Sequence, residues 1–196
     1  MRHGVVASAA AALVATSAAC GHSPDVARAG AGTVAPATAA AAAITAPPSA
    51  ATVGHTRLEA FVPTVTGWQL QHSMGADVQL PAPAAHVRAT FKQGATEIEL
   101  ELTDTGGDAT YLQALSNVAG GTFHQEAPNG YMKGAEIGGF PAIESYNRDD
   151  KLGDVTVLIK RRFIVHASAT GVASVEPVRD FVSRVDLTGI SALSGR

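Results

Sequence analysis

The sequence predicts the α+β class, an antiparallel β-sheet with two main helices packed on it. Apolar and polar residues alternate on both sides of a glycine turn, which is typical of a hairpin with one buried face. Two later segments instead carry apolar residues at helical spacing. Helical segments do not separate every pair of strands, so a doubly wound parallel sheet is not expected.

The alternating runs, 86–93 and 96–103, flank the turn at Gly94 and form the first hairpin. Their apolar members share one predicted face: Val87, Ala89, Phe91, Ile98, Leu100 and Leu102. Six further strands are predicted from shorter or less regular patterns: 68–72, 77–80, 130–137, 140–147, 154–161 and 162–170.

Three helices are predicted from capping residues and apolar stripes. Thr56 caps a short leading helix, and Asp108 caps a main helix that runs to about residue 119. Ser174 caps the second main helix, whose apolar stripe continues to Val185. These two main helices are the ones expected to cover the sheet.

The first nineteen residues have the organisation of a secretory signal peptide. Arg2 and His3 form a basic start, residues 4–15 are uncharged and rich in alanine, and small residues follow up to Ala19. An apolar run of this length is too short to span a membrane, which takes roughly 20 residues. We therefore expect export, with cleavage after Ala19.

Cys20, the only cysteine, follows this cleavage position. The run Ser17, Ala18, Ala19, Cys20 resembles the lipobox of bacterial lipoproteins, in which the cysteine receives a lipid. Ser17 stands where that family usually has leucine, so ordinary signal cleavage of the same bond is the alternative. The resemblance implies a membrane anchor through lipid on Cys20. Gly21 replaces the aspartate of inner-membrane lipoproteins, which implies the outer membrane in a Gram-negative cell.

Composition separates a tether from a domain. Residues 20–54 are rich in alanine and proline, contain no aromatic residue, and are predicted to be a disordered tether. Residues 55–196 contain every aromatic residue and form the predicted single domain. Their twelve basic and sixteen acidic residues give a formal charge of −4, which does not suit nucleic-acid binding.

Part of the domain resembles known exported domains. Residues 139–142, 162–165 and 185–187 are spaced as in small uncharacterised bacterial envelope domains and, more loosely, as in the Mog1/PsbP-like class. The resemblance implies an accessory or binding role and supplies no catalytic residue.

The sequence contains no recognisable catalytic, metal-binding or cofactor-binding motif, so a non-catalytic domain that binds a protein or envelope partner is expected. The candidate partner-binding residues are Trp68, Lys160, Arg161 and Arg162. The alternative is a secreted or envelope hydrolase whose site is assembled from distant residues such as His166, Asp104 and Glu144.

Overall fold

The structure is a computed structural model that describes residues 51–79, 82–107, 109–119 and 121–195. The predicted signal peptide, Cys20 and the predicted tether up to residue 50 lie outside the described residues.

Strands dominate the described part of the chain. They are β1 (Gln69–Val78), β2 (Ala84–Gln93), β3 (Thr96–Asp104), β4 (His124–Ala127), β5 (Gly130–Ile137), β6 (Phe140–Asn147), β7 (Leu152–Ile159) and β8 (Phe163–Thr170). All belong to one antiparallel sheet with the order β1-β2-β3-β8-β7-β6-β5-β4. The ladder between β3 and β8 joins two meanders at the centre, which leaves β1 and β4 at the edges.

The helices are short. They are α1 (His55–Glu59), α2 (Ala109–Val118), α3 (Glu176–Val182) and α4 (Leu187–Ala192), followed by a 3₁₀ turn at Leu193–Gly195. The predicted α+β class is therefore wrong, because a sheet of eight strands with small helices replaces a sheet covered by two main helices. The predicted last helix, from Ser174 to about Val185, is shorter in the structure, where α3 ends at Val182. The helix α4 was not predicted, and Asp186 caps it by accepting a 2.8 Å hydrogen bond from Gly189 N.

Of the three predicted N-caps, the structure contradicts Thr56 and Ser174. Gly54, not Thr56, is the N-cap of α1, and it makes no side-chain capping bond. Val175 is the N-cap of α3, although Ser174 Oγ accepts a 3.4 Å hydrogen bond from Glu176 N beside it. The third predicted cap, Asp108, lies outside the described residues.

The two faces of the sheet are covered differently. The inner face carries the buried apolar positions of the central strands, such as Val87, Leu100 and Val165, and α1, α3 and α4 pack on it. The outer face carries mostly polar residues, and among the described side chains of α2, Leu112 and Leu115 pack against its Leu158 and Ile164. Side chains alternate between the faces along each strand, so register decides which polar groups can meet.

The structure confirms several predicted strands, but β1 and β4 differ from the prediction. The β2–β3 hairpin and the strands β5 and β6 have the predicted positions. The two short strands predicted at 68–72 and 77–80 are one continuous strand, β1, which contains an irregularity between Leu70 and His72. β4 was not predicted.

The β7–β8 turn explains why β7 ends two residues earlier, and β8 begins one residue later, than predicted. Lys160 and Arg161 adopt φ angles of 52° and 51°, and Arg162 N donates a 3.0 Å hydrogen bond to Ile159 O. Two successive positive φ angles are the geometry of a type I′ hairpin turn, which asparagine and glycine usually supply. The basic run is therefore a tight turn between two strands and not the end of one.

Candidate functional site

The three basic residues of the β7–β8 turn do not form a common patch. Lys160 and Arg161 are exposed. Arg162 turns inward, where its Nε lies 2.8 Å from Asp104 Oδ1 and its Nη2 lies 2.9 Å from Oδ2. Asp104 is fully buried, and this hydrogen bonding raises the pKa of the Arg162 guanidinium. Arg162 is thus bound to a structural partner, and only the other two remain open to ligands.

The Asp104–Arg162 pair also holds the chain that leads into the domain. Asp104 Oδ2 accepts a 2.7 Å hydrogen bond from Val53 N, and Oδ1 accepts one of 2.9 Å from Gly106 N. Arg162 Nη2 donates a 2.9 Å hydrogen bond to Ala51 O. Residues 51–53, which the sequence assigns to the tether, therefore contact the domain directly.

The three residues of the alternative hydrolase site are not brought together. Asp104 and Glu144 lie on the inner face, whereas His166 lies on the outer face with its Nε2 3.5 Å from Asp154 Oδ1. Glu144 is buried and accepts hydrogen bonds from Arg179, which raises the pKa of that guanidinium. Each carboxylate is occupied by its own arginine, so these residues do not form an acid–base pair with the histidine.

The outer face carries a row of charges that are paired with one another. Arg88 contacts Glu99 at 3.2 Å and Glu101 at 3.1 Å, and His86 Nδ1 lies 3.1 Å from Thr103 Oγ1. Burial raises the pKa of the Glu101 carboxyl, but the hydrogen bond and charge of Arg88 outweigh burial and leave it below its usual value. Three shallow cavities of about 270 to 300 Å³ share Glu101. A ligand there would have to displace existing ion pairs.

A larger cleft of about 420 Å³, lined by both polar and apolar side chains, opens beside the start of β1. We call it the Trp68 cleft, and its lining residues are Glu59, Val62, Pro63, Thr64, Val65, Trp68, Leu70, Ser73 and Phe91. The half-buried Trp68 ring meets Phe181 edge-on at 5.3 Å, and Phe181 meets Phe91 at 4.8 Å. These contacts with the core hold the indole in place at the wall of the cleft.

The surroundings of the Trp68 cleft are open to a partner. Leu70 lines the cleft and is 51% exposed. Glu59 has no ion-pair partner among the residues that the structure describes, and Met74 and Val78 are also exposed along β1. Of the predicted partner-binding residues, Trp68 is therefore the one placed at a ligand-sized opening.

Trp68 was predicted from the sequence, whereas Glu59, Leu70 and the loop between them were not. A usable signal was present, because the apolar residues Val62 and Val65 flank Pro63 just before the only tryptophan. Apolar residues in a proline-containing loop that leads to a tryptophan are compatible with one wall of a cleft. The other wall depends on the pairing of β1 with β2, which local sequence does not specify.

Acid should weaken the domain partly through Asp77. The His55 side chain bonds this carboxylate at 2.8 Å and His55 N bonds it at 2.9 Å, which holds the pKa of Asp77 below its usual value. Such a carboxylate contributes stability above its unfolded-state pKa, and that contribution is lost as pH falls through the lower folded-state pKa. Asp77→Asn should therefore lose less stability than wild type below about pH 4, measured by urea unfolding. Identical pH profiles of the two proteins would contradict this.

Comparisons with protein-family models, with curated proteins and with solved structures find no match for this chain. Within the described residues, no helix is long and apolar enough to cross a membrane. The same part of the chain contains no group of three or more histidine, cysteine, aspartate or glutamate side chains arranged to hold a metal ion.

Proposed function

We propose that this chain is an exported, lipid-anchored envelope protein whose domain binds a protein partner without catalysis. Lipid on Cys20 is the membrane anchor, and in a Gram-negative cell the anchor lies in the outer membrane. The Trp68 cleft is the binding site. One observation carries this assignment: a cleft of about 420 Å³ with Trp68 in its wall is bordered by an exposed leucine and lies beside an edge strand.

Rigid aromatic walls and exposed aliphatic side chains support binding at this cleft. Tryptophan is enriched among the residues that dominate protein interfaces, because it buries a large area with few rotatable bonds. The contact of Trp68 with Phe181 fixes its ring before a partner arrives. A partner that covered Leu70 would remove exposed apolar area from water at about 25 cal/mol per Å².

Replacing Cys20 with serine should release the protein from membranes. The variant keeps a small residue at the cleavage site but has no thiol to carry lipid, and stable attachment needs more than one acyl chain. Labelling with a palmitate analogue, followed by membrane fractionation, should show label and membrane association in the wild type alone. Unlabelled wild type in the soluble fraction would contradict the lipid anchor and leave ordinary secretion.

Binding at the Trp68 cleft is testable by photo-crosslinking in the bacterial host. A photoreactive amino acid at Leu70 should give a discrete crosslinked species, because this side chain borders the cleft. The matched control places the same amino acid at Met132, which is 40% exposed on β5 near the opposite edge of the sheet. Equal crosslinking from the two positions, or a discrete product from Met132 alone, would contradict the assignment.

A further inference from the structure

We propose that the domain recognises an extended, basic peptide segment of its partner by strand addition to β1. The inference rests on the proposed function of the Trp68 cleft and adds the mode of binding and the chemistry of the ligand. In strand addition, main-chain hydrogen bonds to a sheet edge supply affinity, and pockets for alternate side chains supply specificity.

β1 has the properties of an open sheet edge. It is ten residues long, whereas β4 at the opposite edge has four. No other strand of the described chain pairs with its free side. Natural edge strands are often blocked by lysine, proline, a bulge or short length. Gln69–Val78 contains no lysine or proline, and its irregularity between Leu70 and His72 leaves Ser73–Val78 in regular register with β2.

The two faces of β1 offer different environments to a paired strand. On the inner face, Ser73 lines the Trp68 cleft, and His55 and Glu59 lie over the next inner position, where a Cβ on Gly75 would be 2.6 Å from His55 Cδ2 and 2.9 Å from Glu59 Oε1. On the outer face, the exposed Met74 and Ala76 line a cavity of about 300 Å³. Successive ligand side chains would meet these environments in alternation.

This arrangement predicts a short recognition pattern. One apolar side chain enters the Trp68 cleft, its neighbour lies on the outer face against Met74, and the next inner-face residue is lysine or arginine near Glu59. The spacing between the cleft residue and the basic residue is therefore two. Apolar contacts provide most of the buried area, and the basic residue sets the register along β1.

Charge favours a basic segment over a second copy of this chain. Glu59 has no cationic partner among the described residues, and the predicted domain carries a formal charge of −4. Pairing of β1 with β1 of another copy about a twofold axis near Gly75 would bring Glu59 and Asp77 of each copy towards one another. Like charges opposed across a strand pair are destabilising.

Selection from a library of linear nine-residue peptides tests the recognition pattern. The target is the processed full chain purified from its bacterial host. We expect enriched sequences with alternating apolar residues and one lysine or arginine two positions from an apolar residue. Binding should shift the emission of Trp68, which is the only tryptophan in the chain. Enrichment of sequences without a basic residue would overturn the charge assignment.

Methylation of the peptide backbone tests strand addition itself. Two versions of a selected peptide are made, each with N-methyl groups on three alternate backbone amides. In one version these amides face β1, and in the other they face away from it. One version should lose at least about 30-fold in affinity, because its donors to β1 are gone, and the other should bind nearly as the parent does. Equal affinities of the two versions would overturn strand addition.

A charge exchange tests the role of Glu59 with the same library. Glu59→Lys should replace the enriched lysine or arginine by aspartate or glutamate at the same position of the peptide. The matched control is Glu136→Lys, an exposed position on β5 with the same change of charge, and it should leave the selected pattern unchanged. An unchanged pattern with Glu59→Lys would overturn the assignment of this carboxylate.

The outcomes separate this inference from the proposed function. Peptides that shift Trp68 emission but bind equally in both methylated versions would preserve the Trp68 cleft as the site and reject strand addition. Selected peptides that leave Trp68 emission unchanged would reject both. A protein that sediments as a dimer, and becomes monomeric when peptide binds, would overturn the proposal by making a second copy the natural occupant of β1.

Discussion

Replacing Arg162 with methionine should destabilise the domain by about 3 kcal/mol. The substitution leaves the carboxylate of Asp104 fully buried without its cation, and removing one partner of a buried ion pair costs about 3–5 kcal/mol. We expect the lower end, because Val53 N and Gly106 N still donate hydrogen bonds to this carboxylate. Denaturant unfolding monitored by Trp68 fluorescence measures the loss.

Arg161→Met is the matched control for this prediction. Arg161 is the neighbouring residue, it is exposed, and its positive φ of 51° is equally strained with either side chain. Its replacement should change the free energy of unfolding by no more than about 0.5 kcal/mol. Equal effects at the two positions would show that Arg162 belongs to the surface with its neighbours and does not hold Asp104.

Leu100→Asp should leave the domain unfolded at neutral pH. Leu100 is completely buried on the inner face of β3. Loss of its packing costs about 2–5 kcal/mol, and an unpaired buried carboxylate adds several more. Together these approach or exceed the 5–15 kcal/mol by which domains are usually stable. Circular dichroism should show loss of the strand signal.

Glu99, which is adjacent to Leu100 on β3, supplies the control for Leu100→Asp. Glu99 lies on the outer face and is half exposed, with Arg88 as its ion-pair partner at 3.2 Å. Glu99→Gln should cost no more than about 1 kcal/mol, the usual range for a surface ion pair. A folded Leu100→Asp protein, or an unfolded Glu99→Gln protein, would contradict the assignment of inner and outer faces on β3.

Local patterns predicted much of the sheet because several of its hairpins have clear sequence signals, namely alternating apolar residues and glycine turns. β2 and β3 alternate with period two around Gly94, and β5 and β6 are separated by Gly138 and Gly139, so each turn supplies residues that tolerate positive φ. The β7–β8 turn has the same backbone geometry with Lys160 and Arg161, for which no local signal exists.

The α+β prediction failed because it overestimated how much of the sheet the two main helices cover, and the second of them is shorter than its apolar stripe indicates. Val178, Phe181 and Val185 are spaced for a single helical face, and all three are buried. The chain nevertheless leaves α3 after Val182 and begins α4 at Leu187, with Asp186 as its cap. The burial of these three residues was thus predicted correctly, but the length of their helix was not.

The candidate site could be predicted only in part because its residues meet through the fold. Trp68 stood out as the single tryptophan, but its cleft also needs Phe91 from β2 and Glu59 from α1. Arg162 was grouped with its sequence neighbours, whereas its partner Asp104 lies 58 positions away. Pairing at that separation is decided by the β3–β8 ladder, not by local composition.

Hydrogen exchange of the backbone amides is the most direct test of the claim that β1 and the Trp68 cleft form the binding site. It compares the protein alone with the protein bound to a selected peptide. The account predicts slower exchange in Gln69–Val78 and in residues 59–65, with His124–Ala127 unchanged. Slower exchange confined to β4, β5 and β6, with β1 unaffected, would contradict it.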